Sequence, residues 1–291
     1  MQVGGYTRTL GLIGNPVEHT KSPVLQNFLA DRMQIDVCCV PFHVQDGYLE
    51  DAIKGAYGLN ILGLNVTVPY KSDVMEHLVE LDDMAKRIGA VNTLVRVDGG
   101  YKGYNTDMLG LYRAMCHDGV SIGGKEVVIL GAGGVARAVA LLMLEKGAKG
   151  VIIFNRSMDK AQSIAKEVNR QAGYEFVRAF ETSDYEKVLG AKRYIVIQAT
   201  SVGMSPNIDA AVIEDTSFYR HVEVGYDLIF NPPVTKFMQL CEACGAHAYN
   251  GAKMLTYQGI IAFELWNQVQ VSTQVAKECV EHLLNAIDAD R

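Results

Sequence analysis

Apolar positions in this chain fall into short continuous runs, separated by longer stretches in which they recur every three or four residues, and the two patterns alternate almost end to end. Residues 9–14, 37–42 and 62–66 are runs of the first kind, which predict buried strands; residues 22–33 and 46–57 carry helical spacing. This βαβαβ start is followed by two short helical segments, 72–79 and 82–88, and by a hairpin over 92–101 that turns at Asp98-Gly99-Gly100. Residues 105–117 read as a connecting helix with Thr106 as its cap. After Gly123-Gly124 a strand at 126–130 opens a second α/β unit, with further strands near Val151, Tyr194 and Val224. Two final helices, 252–268 and 272–286, have no strand between them, and each must bury an apolar face. With Asn250-Gly251 as a hinge, they are expected to return to the first unit. The fold class is therefore α/β with two α/β domains, bounded at 1–106 and 107–249, and C-terminal helices over 250–291 that pack on the first. Ligands are expected in a cleft between the two.

The chain of 291 residues, 49% hydrophobic and 21% charged, is long enough for this arrangement. A net charge of -6 disfavours nucleic acid as a partner, because phosphate binding needs massed cations; small molecules fit better. The cysteines Cys38, Cys39, Cys116, Cys241, Cys244 and Cys279 have no histidines at zinc-ligand spacing around them, so no metal is expected. The pair Cys241 and Cys244 is read as two small helix residues. The N-terminal residues lack the pattern of a secretory signal, and no apolar stretch reaches the about 20 residues of a bilayer span. A cytoplasmic protein without a membrane partner is the expectation. The sequence does not fix the assembly; a homodimer is carried as one outcome.

The chemistry begins after the strand at 126–130. Gly131-Ala132-Gly133-Gly134-Val135-Ala136 fits G-x-G-x-x-A and runs into a helical stretch at 137–145. Gly131 permits a tight turn, Gly133 admits a pyrophosphate close to the backbone, Ala136 lets helix and strand approach, and the free amides at the helix start face the phosphates. A glycine-rich turn without a ligand is the alternative, and the strand–turn–helix context weighs against it. At the end of the next strand, where NAD sites carry an acid, stands Asn155-Arg156-Ser157, with Lys160 as a second cation. A guanidinium there suits the 2′-phosphate of NADP, although a merely solvated arginine remains the alternative and Asp159 lies close by.

Dinucleotide redox chemistry also needs a group that moves the hydroxyl proton. In the first unit, Asn65 and Thr67 share a face at a strand end, and Pro69 leaves Lys71 at its mouth. Asp107, in the turn Gly103-Tyr104-Asn105-Thr106-Asp107, gains from a helix start. Taken singly, such a lysine is often a surface charge and such an aspartate often only a helix stabiliser.

The blocks GLIGNPVEHTKSP, GLNVTVPYK, GAVNTL, GYNTDMLG, GAGGVARAV, FNRS, ATSVGM, YDLIFNP and NGAKMLTYQGIIAFELW together resemble the shikimate dehydrogenase family, in family order and over nearly the whole chain. The resemblance implies an N-terminal substrate and catalytic domain, a Rossmann-like NADP-binding domain, and reversible reduction of 3-dehydroshikimate to shikimate in chorismate and aromatic amino-acid biosynthesis. It implies Lys71 and Asp107 as the catalytic pair, Thr20 and Ser22 around the substrate carboxylate, and Asn65, Thr67, Asn92, Asp107 and Gln258 on the ring hydroxyls. Leu228, Gly251 and Met204 would pack near the nicotinamide. Two residues depart from the family pattern. Thr20 stands where serine is common, and Phe230 stands where many relatives carry a tyrosine, so its substrate contact reduces to an apolar wall. His19 is read as structural and Trp266 as core. The alternatives are a quinate/shikimate dehydrogenase using NAD or NADP and a noncatalytic NADP-binding sensor; retention of Lys71 and Asp107 argues against the latter.

Overall fold

The computed structural model describes residues 3–288; Met1, Gln2 and residues 289–291, which the expected domain bounds include, lie outside the described residues. In chain order the elements are β1 (Arg8–Gly14), α1 (Ser22–Met33), β2 (Val37–His43), α2 (Leu49–Gly58), β3 (Gly63–Val66), β4 (Glu80–Leu81), α3 (Asp83–Ile88), β5 (Thr93–Val97), β6 (Gly100–Tyr104) and α4 (Thr106–His117). There follow β7 (Glu126–Leu130), α5 (Gly134–Glu145), β8 (Gly150–Asn155), α6 (Met158–Ala172), β9 (Val177–Glu181), α7 (Tyr185–Leu189), β10 (Tyr194–Gln198), β11 (Val222–Asp227), α8 (Lys236–Ala243), β12 (His247–Tyr249), α9 (Ala252–Asn267) and α10 (Thr273–Asp288). The chain divides into two compact units, one running through Leu111 and resuming at Lys253, the other Tyr112–Ala252. The first division falls inside α4, not at its start.

The sheet of the first unit has the order β2-β1-β3-β5-β6-β4. β1 runs parallel to β2 and β3, whereas β3–β5 and β5–β6 are antiparallel. The carboxyl ends of β1, β3 and β6 and the amino end of β5 therefore share one edge of the sheet. Ile13, Ile53, Leu64, Val66, Leu94 and Tyr101 build the core between this sheet and α2. The outer edge of β2 is closed locally. The Asn27 carboxamide donates to the Cys39 carbonyl at 3.0 Å and accepts from its N–H at 2.8 Å, and Pro41 has no N–H to offer.

α9 and α10 belong to this unit by specific contacts. The Gln26 amide donates to the Gly259 carbonyl at 2.9 Å, and the Trp266 indole to the Leu94 carbonyl at 2.7 Å. Gly63 exists to admit that indole, since a Cβ there would lie 2.0 Å from its nitrogen. On the other side, the ring of Phe28 stacks on His282 of α10 at 4.1 Å.

Three readings of the sequence need correction here. α2 starts at Leu49 instead of residue 46, because Gly47 adopts φ +84° and breaks the first turn. The expected helix over 72–79 is a single 3-10 segment, Asp73–His77, since the Val79 N–H goes to the Tyr101 carbonyl and the chain joins the sheet as β4. Thr106 is the first residue of α4 and not its cap, for the reason given below.

In the second unit six strands are all parallel, in the order β12-β11-β10-β7-β8-β9. Val127–Leu130 and Val151–Phe154 are buried essentially completely, as strands covered by helices on both faces must be. The order reverses between β7 and β10, the place where open α/β sheets bind ligands. Cys241 lies in the core against Phe237 and Tyr219, Cys244 ends α8, and both are free thiols.

Candidate active site

At the shared edge of the first sheet, the register sets Asn65 opposite Thr93 and Thr93 opposite Tyr104. Beyond β3 the buried Tyr70 anchors the turn by donating its hydroxyl to the Val44 carbonyl at 2.8 Å, and the Lys71 carbonyl accepts from the Val91 N–H at 2.7 Å. Lys71 is thereby fixed at its backbone, and its Nζ donates to Asp107 Oδ2 at 2.7 Å. Asp107 occupies the first turn of α4, where the helix dipole favours a carboxylate. Its Oδ1 accepts from Asn92 Nδ2 at 2.8 Å, so each carboxylate oxygen holds one donor. The pair is partly exposed, with 35% of the Lys71 side chain and 23% of the Asp107 side chain open to a ligand.

The other end of the Asn92 amide answers the helix. Asn92 Oδ1 accepts from the Thr106 N–H at 2.8 Å and from its hydroxyl at 3.1 Å, so the start of α4 is capped by a residue 14 positions earlier. Gly110 lets α9 approach α4 closely, because a Cβ there would lie 2.6 Å from the Gln258 nitrogen. This approach carries Gln258 to Asn92, whose Nδ2 is 3.5 Å from Gln258 Oε1. Asn65 Nδ2 donates to the Asn92 carbonyl and reaches the Thr93 hydroxyl, each at 3.3 Å. Its Oδ1 is buried and has no hydrogen-bond partner among the described residues.

Thr20 lies in the turn between β1 and α1 and Ser22 is the first residue of α1, with the Ser22 N–H donating to the Thr20 hydroxyl at 3.3 Å. Thr67 follows β3 and is half-buried. Among the described residues none of these three, nor the exposed His19, hydrogen-bonds into the Lys71–Asp107–Asn92 network.

In the second unit a cavity of about 880 Å³ opens at the carboxyl ends of β7, β8, β10 and β11. Ala132, Gly133, Val135, Asn155, Arg156, Ser157 and Lys160 line one side, and Met204, Leu228 and Phe230 the other. Gly131 does not line it; with φ +109° and a Cβ position 2.5 Å from Thr200 Cγ2, it makes the turn that no other residue tolerates. Gly133 stands at the N-cap of α5 with open space around it, and Gly134 is the first helical residue. Ala136 is fully buried between helix and sheet. The Asn155 side chain donates to the Ser157 carbonyl at 2.8 Å and braces the turn that holds Arg156 outward. Arg156 and Lys160 make no ion pair among the described residues. Open glycine backbone, helix amides and two cations at the end of β8 fit the pyrophosphate and 2′-phosphate of NADP. Gly251 sits against Leu228, whose carbonyl oxygen would be 2.3 Å from any Cβ there.

Sequence reasoning missed what lies beneath this wall. Gln198 Oε1 accepts from the Thr200 N–H at 2.6 Å, and its Nε2 donates to the Val202 carbonyl at 3.0 Å and to Asp227 Oδ1 at 3.3 Å. Asp227 also accepts from the Ile229 N–H at 3.0 Å and the Thr235 hydroxyl at 2.6 Å. Burial pushes its carboxyl up to about 6. The available signal was a polar residue at the end of each of the neighbouring strands β10 and β11, Gln198 and Asp227. Among the described residues no cluster of three or more His, Cys, Asp and Glu side chains is placed to hold a metal, and no helix is long and apolar enough to cross a membrane.

Fold and site together define a dinucleotide-dependent α/β oxidoreductase. Residues 12–94 match the family described as shikimate dehydrogenase substrate binding domain, and residues 115–222 match shikimate / quinate 5-dehydrogenase. A relative from Methanopyrus kandleri, a shikimate dehydrogenase (NADP(+)), is 38% identical over 97% of this chain and 98% of its own. A shikimate dehydrogenase solved with NADP+ superposes with a TM-score of 0.85 at 36% identity, covering 96% of each chain. Shikimate 5-dehydrogenase from Listeria monocytogenes, solved with shikimate and NAD, gives 0.88 at 30% identity over 96% of this chain and 98% of that one. The chain belongs to the shikimate dehydrogenase family.

Proposed function

We propose that the protein reversibly reduces 3-dehydroshikimate to shikimate with NADPH, in the branch of metabolism that leads to chorismate and the aromatic amino acids. The observation that carries this reading is the Lys71–Asp107 contact of 2.7 Å, held on its far side by Asn92. When bound, NADPH supplies the hydride that adds to the ring carbonyl carbon. Lys71, as the ammonium, gives a proton to the carbonyl oxygen; in the oxidation direction it takes that proton back. Asp107 keeps the ammonium aimed through the 2.7 Å contact. Thr20 and Ser22 supply hydroxyl donors for the ring carboxylate, while Asn65, Thr67, Asn92 and Gln258 take the ring hydroxyls. Phe230 serves as an apolar wall, and Leu228, Gly251 and Met204 flank the nicotinamide. The backbone of Gly131 to Ala136 receives the pyrophosphate, and Asn155, Arg156, Ser157 and Lys160 receive the 2′-phosphate.

We extend the same reading to a cytoplasmic location and a homodimeric assembly, the second of which light scattering measures. Incubation of the pure protein with 3-dehydroshikimate and NADPH tests the activity. Loss of reduced-nicotinamide absorbance with chromatographic appearance of shikimate supports it; NADPH binding without product would leave the noncatalytic alternative.

A further inference from the structure

The polar network around Asp107 has a direction. The Asn65 amide is oriented by the Asn92 carbonyl, which only accepts, at 3.3 Å from its Nδ2. The Asn92 amide is oriented by the Thr106 N–H, which only donates, at 2.8 Å from its Oδ1. Between the two amides stands the Thr93 hydroxyl, on a residue with no exposed surface. It accepts from Asn65 Nδ2 at 3.3 Å and donates to Asn92 Oδ1 at 3.1 Å. The Thr106 hydroxyl, 3.1 Å from that of Thr93, donates to the same Asn92 oxygen. Asn92 Nδ2 then donates to Asp107 Oδ1 at 2.8 Å, and Lys71 holds the other carboxylate oxygen. The donors that link Asn65, Thr93 and Asn92 in sequence thus lead to Asp107, while Asn92 Nδ2 also faces Gln258 Oε1.

The head of this chain is the buried Asn65 Oδ1, an acceptor without a partner among the described residues. Leaving such an atom unsatisfied is costly, and a ligand hydroxyl that donates to it removes the cost. It would also add a link to a row of hydrogen bonds that polarise one another in a low-dielectric setting. We propose that Thr93 is a positioning residue that couples a substrate hydroxyl bound at Asn65 to the Lys71–Asp107 pair; this rests on the proposed function. Thr93 touches no ligand itself. Its cross-strand pairing with Asn65 makes the link stiff, and its hydroxyl is the part of the link that passes the donor direction from one amide to the next.

Thr93→Val keeps shape and volume but cuts the link, Thr93→Ser keeps the link, and Asn65→Ala removes its head. Two quantities are read on the full-length protein: shikimate oxidation with saturating NADP, and the rise in melting temperature that shikimate produces without cofactor. Thr93→Val is expected to lower kcat about tenfold and to shrink the shikimate-induced melting shift, with the Michaelis constant for NADP within about twofold of the parent. Thr93→Ser should stay within about threefold of the parent on every measure, and Asn65→Ala/Thr93→Val should fall no more than about threefold below Asn65→Ala alone, because both changes break one chain. If Thr93→Val does not fold, Thr93→Ala against Thr93→Ser makes the same comparison. Parental kinetics for Thr93→Val, equal damage from valine and serine, or multiplying losses in the double variant each overturn the coupling while the functional reading stands. A parent protein that neither oxidises nor is stabilised by shikimate overturns both.

Discussion

At the scale of single residues, the chemistry is divided between a held lysine and two cations, Arg156 and Lys160, that make no ion pair among the described residues. Lys71→Ala removes the proposed proton carrier and changes no residue that lines the nucleotide cavity, so turnover should fall by at least about 100-fold while NADP affinity is nearly unchanged. Turnover within a few-fold of the parent would remove Lys71 from the proton transfer. Arg156→Ala should weaken NADP much more than NAD in a binding titration, since only NADP brings a phosphate to that guanidinium; equal losses would mean that Arg156 reads no phosphate. Lys71 and Asp107 were singled out in the sequence by the family motifs that carry them, since each alone has a commonplace reading, and Arg156 by its place at the end of the strand that follows the glycine turn. Asn92 was a candidate site residue in the sequence but not a candidate cap of α4, because a helix capped from 14 positions away leaves no local pattern. The donor direction through Thr93 was likewise out of reach, since it depends on which end of each amide faces a backbone group.

Among the elements, the continuous apolar runs of β1, β3, β7 and β8 announced buried strands, and the structure has them there. β4 and β12 were not legible because they are only two and three residues long and owe their form to a neighbour's hydrogen-bonding edge. β9 is mostly half-buried and was not among the strands expected from the sequence. The meeting of α4 and α9 is the element contact that matters most for the site, because it delivers Gln258 to Asn92. Gly110→Ala would drive a methyl into the α9 backbone, so it should lower the melting temperature and raise the shikimate Michaelis constant together. Gln258→Ala should raise that constant or lower turnover, at a penalty of about 1 to 3 kcal/mol, without comparable damage to NADP affinity. Unchanged shikimate kinetics in a folded Gln258→Ala protein would return that side chain to a purely structural role.

At the scale of the whole molecule, stability and activity lend themselves to separate tests. Asp227 titrates higher in the folded chain than its ordinary 3.8, at about 6, because burial disfavours its charge. Its stabilising contribution is therefore full below the unfolded value and is lost as the pH rises through 6. Relative to Asp227→Asn, the parent should lose on the order of 3 kcal/mol of unfolding free energy between pH 3.5 and 7.5, roughly two pKa units of linkage, in urea titrations. A difference that stays constant over that range would contradict the account of the buried carboxylate beneath the cavity wall. Arg156 and Lys160 at the end of β8 point to NADP, and the Lys71–Asp107 pair with its unsatisfied Asn65 oxygen points to a hydroxylated ring acid. The measurement that tests both statements at once offers shikimate and quinate, each with NADP and with NAD, and follows the appearance of reduced nicotinamide. The highest kcat/KM is expected for shikimate with NADP; turnover confined to quinate with NAD, or absent from all four combinations, would contradict that assignment.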